Sequence, residues 1–348
     1  VADLSTRPAA DPWPGVSVVM PVREEERHLA RAVSRILSQD YPGELEVVMA
    51  VAPSADRTEQ IAADLAAADP RVRVVPNPAG RTPHALNAAI AASRFDVVVR
   101  VDGHGELTPG YLRTAVELLR RTGAANVGGI MDAQGETAFE QAVAVAYTSR
   151  LGLGGSAFHL TTSREQEAET VFLGSFRKDA LLEVGGYDET LHRAQDWELN
   201  YRLRQAGHRI WFSPTMRVTY RPRSTLRALA RQFFETGRWR REVVRRHPDT
   251  ASPRYLAPPV AVTGVVGGLL LALAGGTVGP RWLRLAALAP LGYLAVVVGG
   301  AAALRRDLPP GVRARLPLVF AVMHLCWGTG FLVGRPQSGE EHDPTRAP

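Results

Sequence analysis

Asp102-Gly103-His104 follows directly on the run Val97-Val98-Val99-Arg100-Val101. Such a run reads as a buried strand, so the carboxylate and the imidazole arrive together at its carboxyl end. Side chains two apart on an extended segment point the same way, and only glycine separates these two. A carboxylate and an imidazole can hold a divalent metal whose other positions meet diphosphate oxygens, and imidazole favours Mn²⁺ somewhat over Mg²⁺. An acidic turn after a strand would use the same residues, and the tripeptide alone favours that plainer reading. A second acid, Asp196, starts a helical pattern over 196–205. The helix dipole would keep it ionised there, although helix capping is the ordinary use of such a residue.

The elements that must position these groups alternate at short spacing. Strand-like segments at 16–20, 44–51, 71–75 and 95–101 are interleaved with helical ones at 24–38, 58–68 and 83–93. That order predicts an α/β fold, a mainly parallel sheet with helices on both faces. In such sheets ligands bind beyond the carboxyl ends of the strands. Further on, 109–121 reads as helix, 125–131 as strand and 152–170 as a mobile loop. Helices at 177–183 and 196–205 are separated by the Gly185-Gly186 turn, and 210–220 holds one or two short strands. The run Gly152-Leu153-Gly154-Gly155 does not lead into the Lys-Ser/Thr helix start that a P-loop needs, which leaves a flexible acceptor loop or a plain surface loop. His159, His192 and His208 have no metal-ligand spacing.

Charge is distributed unevenly over the 348 residues. Lysine and arginine number 41 against 35 acids, a formal net charge of +6, yet long uncharged runs dominate after about residue 250. Three of these, 257–279, 283–304 and 316–334, approach the ~20 residues needed to cross a bilayer. Arg240, Arg241, Arg245 and Arg246 precede the first, and Arg305, Arg306, Arg313 and Arg315 lie between the second and third. Both clusters fall on one side and the acidic Glu340, Glu341 and Asp343 on the other, which predicts a multi-pass protein of the cell membrane with its α/β domain on the cytoplasmic face. Before the spans, 224–247 reads as a basic amphipathic helix, broken at Gly237, on the membrane surface. The expected division is a flexible tail at 1–15, a catalytic domain at 16–222, an interfacial segment at 223–256, transmembrane helices at 257–334 and a polar tail at 335–348. No signal-peptide core precedes the domain. Zinc-finger spacing and aromatic-basic RNA motifs are absent, which argues against nucleic acid as a partner. The single cysteine, Cys326, allows no internal disulfide.

The order Pro21-Val22-Arg23-Glu24-Glu25, Arg81 with Asn87, Asp102-Gly103-His104, Gly185-Gly186-Tyr187-Asp188 and Gln195-Asp196 resembles the inverting family 2 glycosyltransferases of GT-A fold. The resemblance covers roughly residues 16 to 245. The forms Arg100-Val101-Asp102-Gly103-His104 and Arg193-Ala194-Gln195-Asp196-Trp197-Glu198-Leu199 are similar in particular to succinoglycan-type exopolysaccharide glucosyltransferases. The resemblance implies a divalent metal, Mn²⁺ or Mg²⁺, held by Asp102 and His104, with His104 where the family usually has its last aspartate. It implies Asp196 as the general base. Pro21, Arg23, Glu25, Asp56, Arg81, Asn87 and Asp102 would surround the nucleotide, and Gln195, Trp197, Arg238 and Trp239 the acceptor. The family's Asp-Asp-Gly-Ser segment is replaced by Val51-Ala52-Pro53-Ser54, with only Asp56 surviving nearby, so a UDP-hexose donor is a default. Gln232 and Arg238-Trp239 are too far apart for the Gln-x-x-Arg-Trp motif of processive synthases.

These readings lead to non-processive transfer of a hexose, glucose by analogy, from a nucleotide-diphosphate sugar to a lipid-linked glycan, alongside polysaccharide-assembly proteins. Transfer onto polyprenyl monophosphate is one alternative, and a catalytically silent membrane scaffold is another.

Overall fold

A computed structural model describes residues 12–153, 157–159, 163–304 and 307–334. Its first half follows the alternation in the sequence: β1 (Val16–Val22), α1 (Leu29–Leu37), β2 (Leu45–Val51), α2 (Thr58–Ala68), β3 (Val72–Pro76), α3 (Thr82–Ala92), β4 (Val97–Arg100). There follow β5 (Glu106–Leu107), α4 (Tyr111–Thr122), β6 (Asn126–Ala133), α5 (Ala138–Tyr147), β7 (Gln166–Glu167), β8 (Phe172–Arg177), α6 (Lys178–Glu183), α7 (Gln195–Gln205) and β9 (Ile210–Tyr220). The chain continues as α8 (Leu226–Arg246), α9 (Pro253–Thr277), α10 (Leu288–Ala303) and α11 (Pro310–Val333).

The strands form one sheet in the order β3-β2-β1-β4-β8-β6-β9-β5, with β7 on β9. β3, β2, β1 and β4 run parallel, with Val16 opposite both Leu45 and Val97. β8 then runs antiparallel to both β4 and β6. β1, β2 and β4 have nearly continuous apolar sequences because the sheet interior gives them no solvent face, whereas edge strand β3 alternates and leaves Val74 exposed. Val18, Met20, Val47, Met49 and Val99 are buried together with Leu29, Val33 and Ile36 of α1 and Leu112 and Val116 of α4.

One charge lies inside this packing. Glu46 on β2 is 0% exposed. Its Oε1 accepts from Ser17 Oγ at 2.7 Å and the Arg94 backbone N–H at 2.6 Å, and its Oε2 from Arg94 Nε at 2.9 Å and Arg73 Nη1 at 3.1 Å. Burial pushes its pKa up, but these donors outweigh burial and hold it below the ordinary 4.5.

By its contacts the chain divides into two units. The first comprises Val1–Ile130, Arg164–Glu189 and Leu199–Val218, and the second Met131–Ser163, Thr190–Glu198 and Thr219–Pro348. The division interleaves along the chain. Its physical reason is that α5 packs on α11, while residues 190–198 attach to α8. In the second unit α8 runs unbroken through Gly237, contrary to the expected break. A Cβ at Gly237 would lie 2.0 Å from the Trp327 carbonyl, and one at Gly330 2.0 Å from the Phe234 carbonyl. The two glycines thus let α8 and α11 approach backbone to backbone. Leu229, Phe233, Trp239 and Val243 of α8 are accordingly buried in protein.

Three stretches, Pro253–Thr277, Arg281–Ala303 and Pro310–Val333, are long and apolar enough to cross a membrane. They begin a few residues earlier than the sequence pattern suggests, and the second opens with a 3-10 turn, Arg281–Ala287. Leu270, Leu273, Leu285 and Leu288 on them are exposed. Trp13, within the expected tail at 1–15, packs edge-on against Tyr41 at 5.6 Å and lies under Arg113 and Arg120. Residues 210–220 form one strand.

A depressed carboxyl pKa stabilises the fold above the unfolded value and ceases to do so as pH falls through the folded one. Glu46→Gln is therefore expected to cost about 2 kcal/mol at neutral pH. In thermal unfolding of the detergent-solubilised chain, the gap to the unsubstituted protein should close as pH falls below about 4. A gap that does not vary with pH would refute the ionised, hydrogen-bonded Glu46.

Candidate functional site

In the first unit the loops at the carboxyl ends of β1, β2 and β4 converge. The chain leaves β1 through Glu24, whose φ of 54° lies in the left-handed region, a strained conformation for such a residue. Bonds to the loop after β2 hold it there. The Glu24 backbone N–H donates to Ser54 Oγ at 3.2 Å, and its carboxylate accepts from the Ala55 N–H at 2.7 Å. The Glu25 N–H donates to Thr58 Oγ1 at 2.7 Å and the Glu26 N–H to Asp56 Oδ2 at 3.1 Å. Asp56 Oδ1 accepts from the Thr58 N–H at 3.0 Å. Desolvation raises the Asp56 pKa, but its bonds from Thr58 and Glu26 outweigh that and leave it lowered. Asp56 thus ties two loops together with both carboxylate oxygens.

This turn delivers Glu25 to the end of β4. Its Oε1 lies 2.7 Å from His104 Nδ1. Gly103 makes room for it, since a Cβ there would fall 2.7 Å from Glu25 Cγ. Asp102 Oδ1 accepts from Arg100 Nε at 3.0 Å, and Arg100 Nη2 lies 3.0 Å from the same oxygen. Arg100 is almost fully buried, whereas the Asp102 side chain keeps about a quarter of its surface, 27%, exposed. Arg23 Nη1 reaches the Gly80 carbonyl at 3.4 Å, joining the post-β1 loop to the loop before α3. Pro21 lies in β1 opposite Ala50, and Arg81 precedes the first turn of α3.

These residues suit a divalent cation. A carboxylate hydrogen-bonded to one imidazole nitrogen fixes the tautomer and directs the other nitrogen outward, the usual support for a metal-bound histidine. Glu25 stands in that relation to His104. Asp102 lies two residues before it, but Gly103 and His104 form a turn beyond β4 in place of the extended segment expected, with the Gly105 N–H donating to the Asp102 carbonyl at 2.7 Å. No group of three His, Cys, Asp or Glu among the described residues is arranged to hold a metal.

Asn87 is engaged elsewhere. Its Oδ1 accepts from the Tyr187 N–H at 2.9 Å, and its Nδ2 donates to the Tyr187 carbonyl at 2.9 Å and to Glu189 Oε1 at 3.0 Å. Arg202 of α7 grips the same turn through the Val184 and Gly186 carbonyls. Gly185 and Gly186 both have positive φ, at 79° and 70°. Two side chains that look like ligand contacts by type therefore hold a backbone turn. Within the same unit Asn200 of α7 bonds Asn126 of β6 and Thr170, at 2.7 and 2.9 Å.

The second unit carries Asp196 in the first turn of α7. Ala194 just before it has a φ of 62°. His192 stacks on Trp239 at 5.3 Å, Trp197 lies under Arg240 at 4.3 Å, and Thr190 Oγ1 accepts from Arg246 at 2.9 Å. His247 Nε2 lies 3.5 Å from Glu198 Oε1. Four contacts thus fasten residues 190–198 along α8, an attachment that only tertiary packing reveals. Trp197 and Trp239 are buried in these contacts. Gln195 is half-buried, and its Oε1 has no hydrogen-bond partner among the described residues. Arg238 donates to the Gly334 carbonyl at 3.2 Å and pairs with Glu235 at 3.2 Å. Residues 154–156 of the glycine-rich loop lie outside the described residues.

The fold and the strand-end residues define a nucleotide-sugar transferase architecture, and comparison with known proteins gives the family. The profile described as Glycosyl transferase family 2 matches residues 17–171. The succinoglycan biosynthesis protein ExoA of Rhizobium meliloti (strain 1021) is 34% identical over 319 residues, which cover 90% of this chain and 93% of that protein. A dolichyl N-acetyl-alpha-D-glucosaminyl phosphate 3-beta-D-2,3-diacetamido-2,3-dideoxy-beta-D-glucuronosyltransferase of Methanococcus voltae is 23% identical over 231 residues, covering 64% of this chain and 71% of the relative. Among solved structures, mannosyltransferase PcManGT from Pyrobaculum calidifontis, in complex with GDP-Man and Mn²⁺, superposes with a TM-score of 0.57 at 20% identity. It covers 93% of this chain and 88% of that one. The chain belongs to glycosyltransferase family 2, and its fold is GT-A-like.

A methyl group at Gly186 would meet Asn87 Oδ1 at 2.7 Å and force a side chain into positive φ. Gly186→Ala is expected to destabilise the protein by about 1–3 kcal/mol. Thermal unfolding checks this, and an unchanged midpoint would contradict the Asn87 clamp.

Proposed function

We propose that this glycosyltransferase moves a hexose, with inversion, from a nucleoside-diphosphate sugar to a saccharide carried on a polyprenyl-diphosphate lipid at the cytoplasmic membrane face. The observation that carries this reading is the strand-end group in which Glu25 orients His104 beside Asp102. In this reading Asp102 and His104 hold a divalent cation, Mn²⁺ or Mg²⁺. When bound, such a cation would neutralise charge developing on the departing diphosphate. Arg23 and Arg81 border the nucleotide, with UDP as the default. The replaced Asp-Asp-Gly-Ser segment, and Asp56's commitment to backbone N–H groups, put base recognition on other residues.

Asp196, at the start of α7, takes the proton of the attacking acceptor hydroxyl. Membrane spans and a relative in succinoglycan biosynthesis support a lipid-linked acceptor in exopolysaccharide or cell-envelope glycan synthesis. A second relative, named for a dolichyl sugar phosphate, points the same way. Gln232 and Arg238-Trp239 are too far apart for the Gln-x-x-Arg-Trp motif of processive synthases, which favours one sugar per encounter.

Labelled nucleotide sugars incubated with the full chain, Mn²⁺ and a lipid-linked saccharide test the proposal. Asp196→Asn is expected to lower turnover by about 10²–10⁴-fold while nucleotide binding, followed by calorimetry, persists. Undiminished turnover would remove Asp196 as the base.

A further inference from the structure

β4 carries one cation in an otherwise apolar run. Arg100 follows Val97, Val98 and Val99 and precedes Val101, and it is only 4% exposed. Its Nε and Nη2 both lie 3.0 Å from Asp102 Oδ1, so the fork closes on one carboxylate oxygen and leaves Oδ2 outside it. The guanidinium carbon stands 6.0 Å from the centre of the Tyr187 ring, at the limit of a cation–π attraction. The Tyr187 backbone is held on Asn87, so the Gly185-Gly186 turn braces Arg100 as Arg100 braces Asp102.

Stability gives little reason for a cation here. A buried ion pair often stabilises no more than well-packed apolar side chains do, because desolvating the charges offsets their attraction. The arginine instead changes the charge that a ligand of Asp102 meets. A cation withheld from water acts strongly on its neighbours. Asp102 keeps 27% of its side chain exposed, so an ion can reach the carboxylate from outside. A bare divalent ion there would share the carboxylate with Arg100 and be repelled by it. An ion already bound to diphosphate oxygens brings negative charge, and the same arginine attracts it.

We propose that Arg100 determines specificity at the end of β4: it makes Asp102 and His104 select a cation–diphosphate pair over a bare divalent cation. Metal and nucleotide then tighten each other's binding by the same factor, and the charge of Arg100 sets that factor. Arginine stays charged even when buried, and its planar fork fixes one oxygen of Asp102. This role rests on the cation reading of Asp102 and His104 in the proposed function.

The test titrates the full chain in detergent micelles with Mn²⁺ alone and with Mn²⁺ in the presence of UDP. Electron paramagnetic resonance follows free Mn²⁺ against protein-free controls. In the unsubstituted protein UDP should tighten Mn²⁺ binding by about tenfold or more. Arg100→Gln should tighten the binding of Mn²⁺ alone by about tenfold and shrink the effect of UDP. Arg100→Lys keeps the charge and should bind Mn²⁺ alone as weakly as the unsubstituted protein. Loss of structure weakens binding, so a gain in affinity separates this role from a merely structural one. Unchanged or weaker binding of Mn²⁺ alone in Arg100→Gln would overturn the proposal, and so would an equal gain in Arg100→Lys. Failure of all three proteins to bind Mn²⁺ even with UDP present would instead remove the cation centre of the proposed function, and the role of Arg100 with it.

Discussion

The arrangement of the first unit depends on one close approach, that of Glu25 to His104 across Gly103. It requires β1 and β4 to be parallel neighbours in register, so that the turns after them open on the same edge of the sheet. It requires Glu24 in a left-handed conformation, held by Ser54 and Ala55, so that the next residue points toward β4. It also requires glycine at 103, because any Cβ would collide with the Glu25 side chain. Remove one of these and the imidazole loses the carboxylate that orients it.

The second unit solves a different problem. An acid at the start of a helix has no fixed position unless the preceding chain is anchored, and residues 190–198 have little apolar content of their own. Their anchors are aromatic and cationic side chains on α8, and α8 is seated on α11 by two glycine contacts. The apolar stretch that could cross a membrane therefore also supports the segment carrying Asp196. That continuity gives a physical reason for a soluble fold and an apolar bundle to share one chain.

Much of this was legible in the sequence. Strands β1, β2 and β4 announced themselves because burial on both faces leaves little polar alternation to obscure them, and β4 leads directly into Asp102 and His104. The antiparallel strand β8 was missed, since Phe-Leu-Gly-Ser-Phe-Arg carries a glycine and follows a polar stretch. That glycine is needed because a Cβ would strike Asn126. Helix α5 was missed too, although Thr137 and Glu140 form a reciprocal capping box at its start. Asn87 and Arg202 could not be read as a clamp on the Gly185-Gly186 turn, because their partners are backbone groups of Val184, Gly186 and Tyr187 that no side-chain motif encodes. Gly237 suggested a helix break, where tertiary packing instead makes glycine the residue that keeps two helices in contact.

The proposed chemistry depends on Asp102 and His104 sharing a cation. Pulsed electron paramagnetic resonance of Mn²⁺ bound to the full chain in the presence of a nucleoside diphosphate reports nitrogen ligands directly. A nitrogen coupling of a ligated imidazole is predicted, lost in His104→Asn. A spectrum without nitrogen coupling in the unsubstituted protein, or a coupling that survives in His104→Asn, would contradict it.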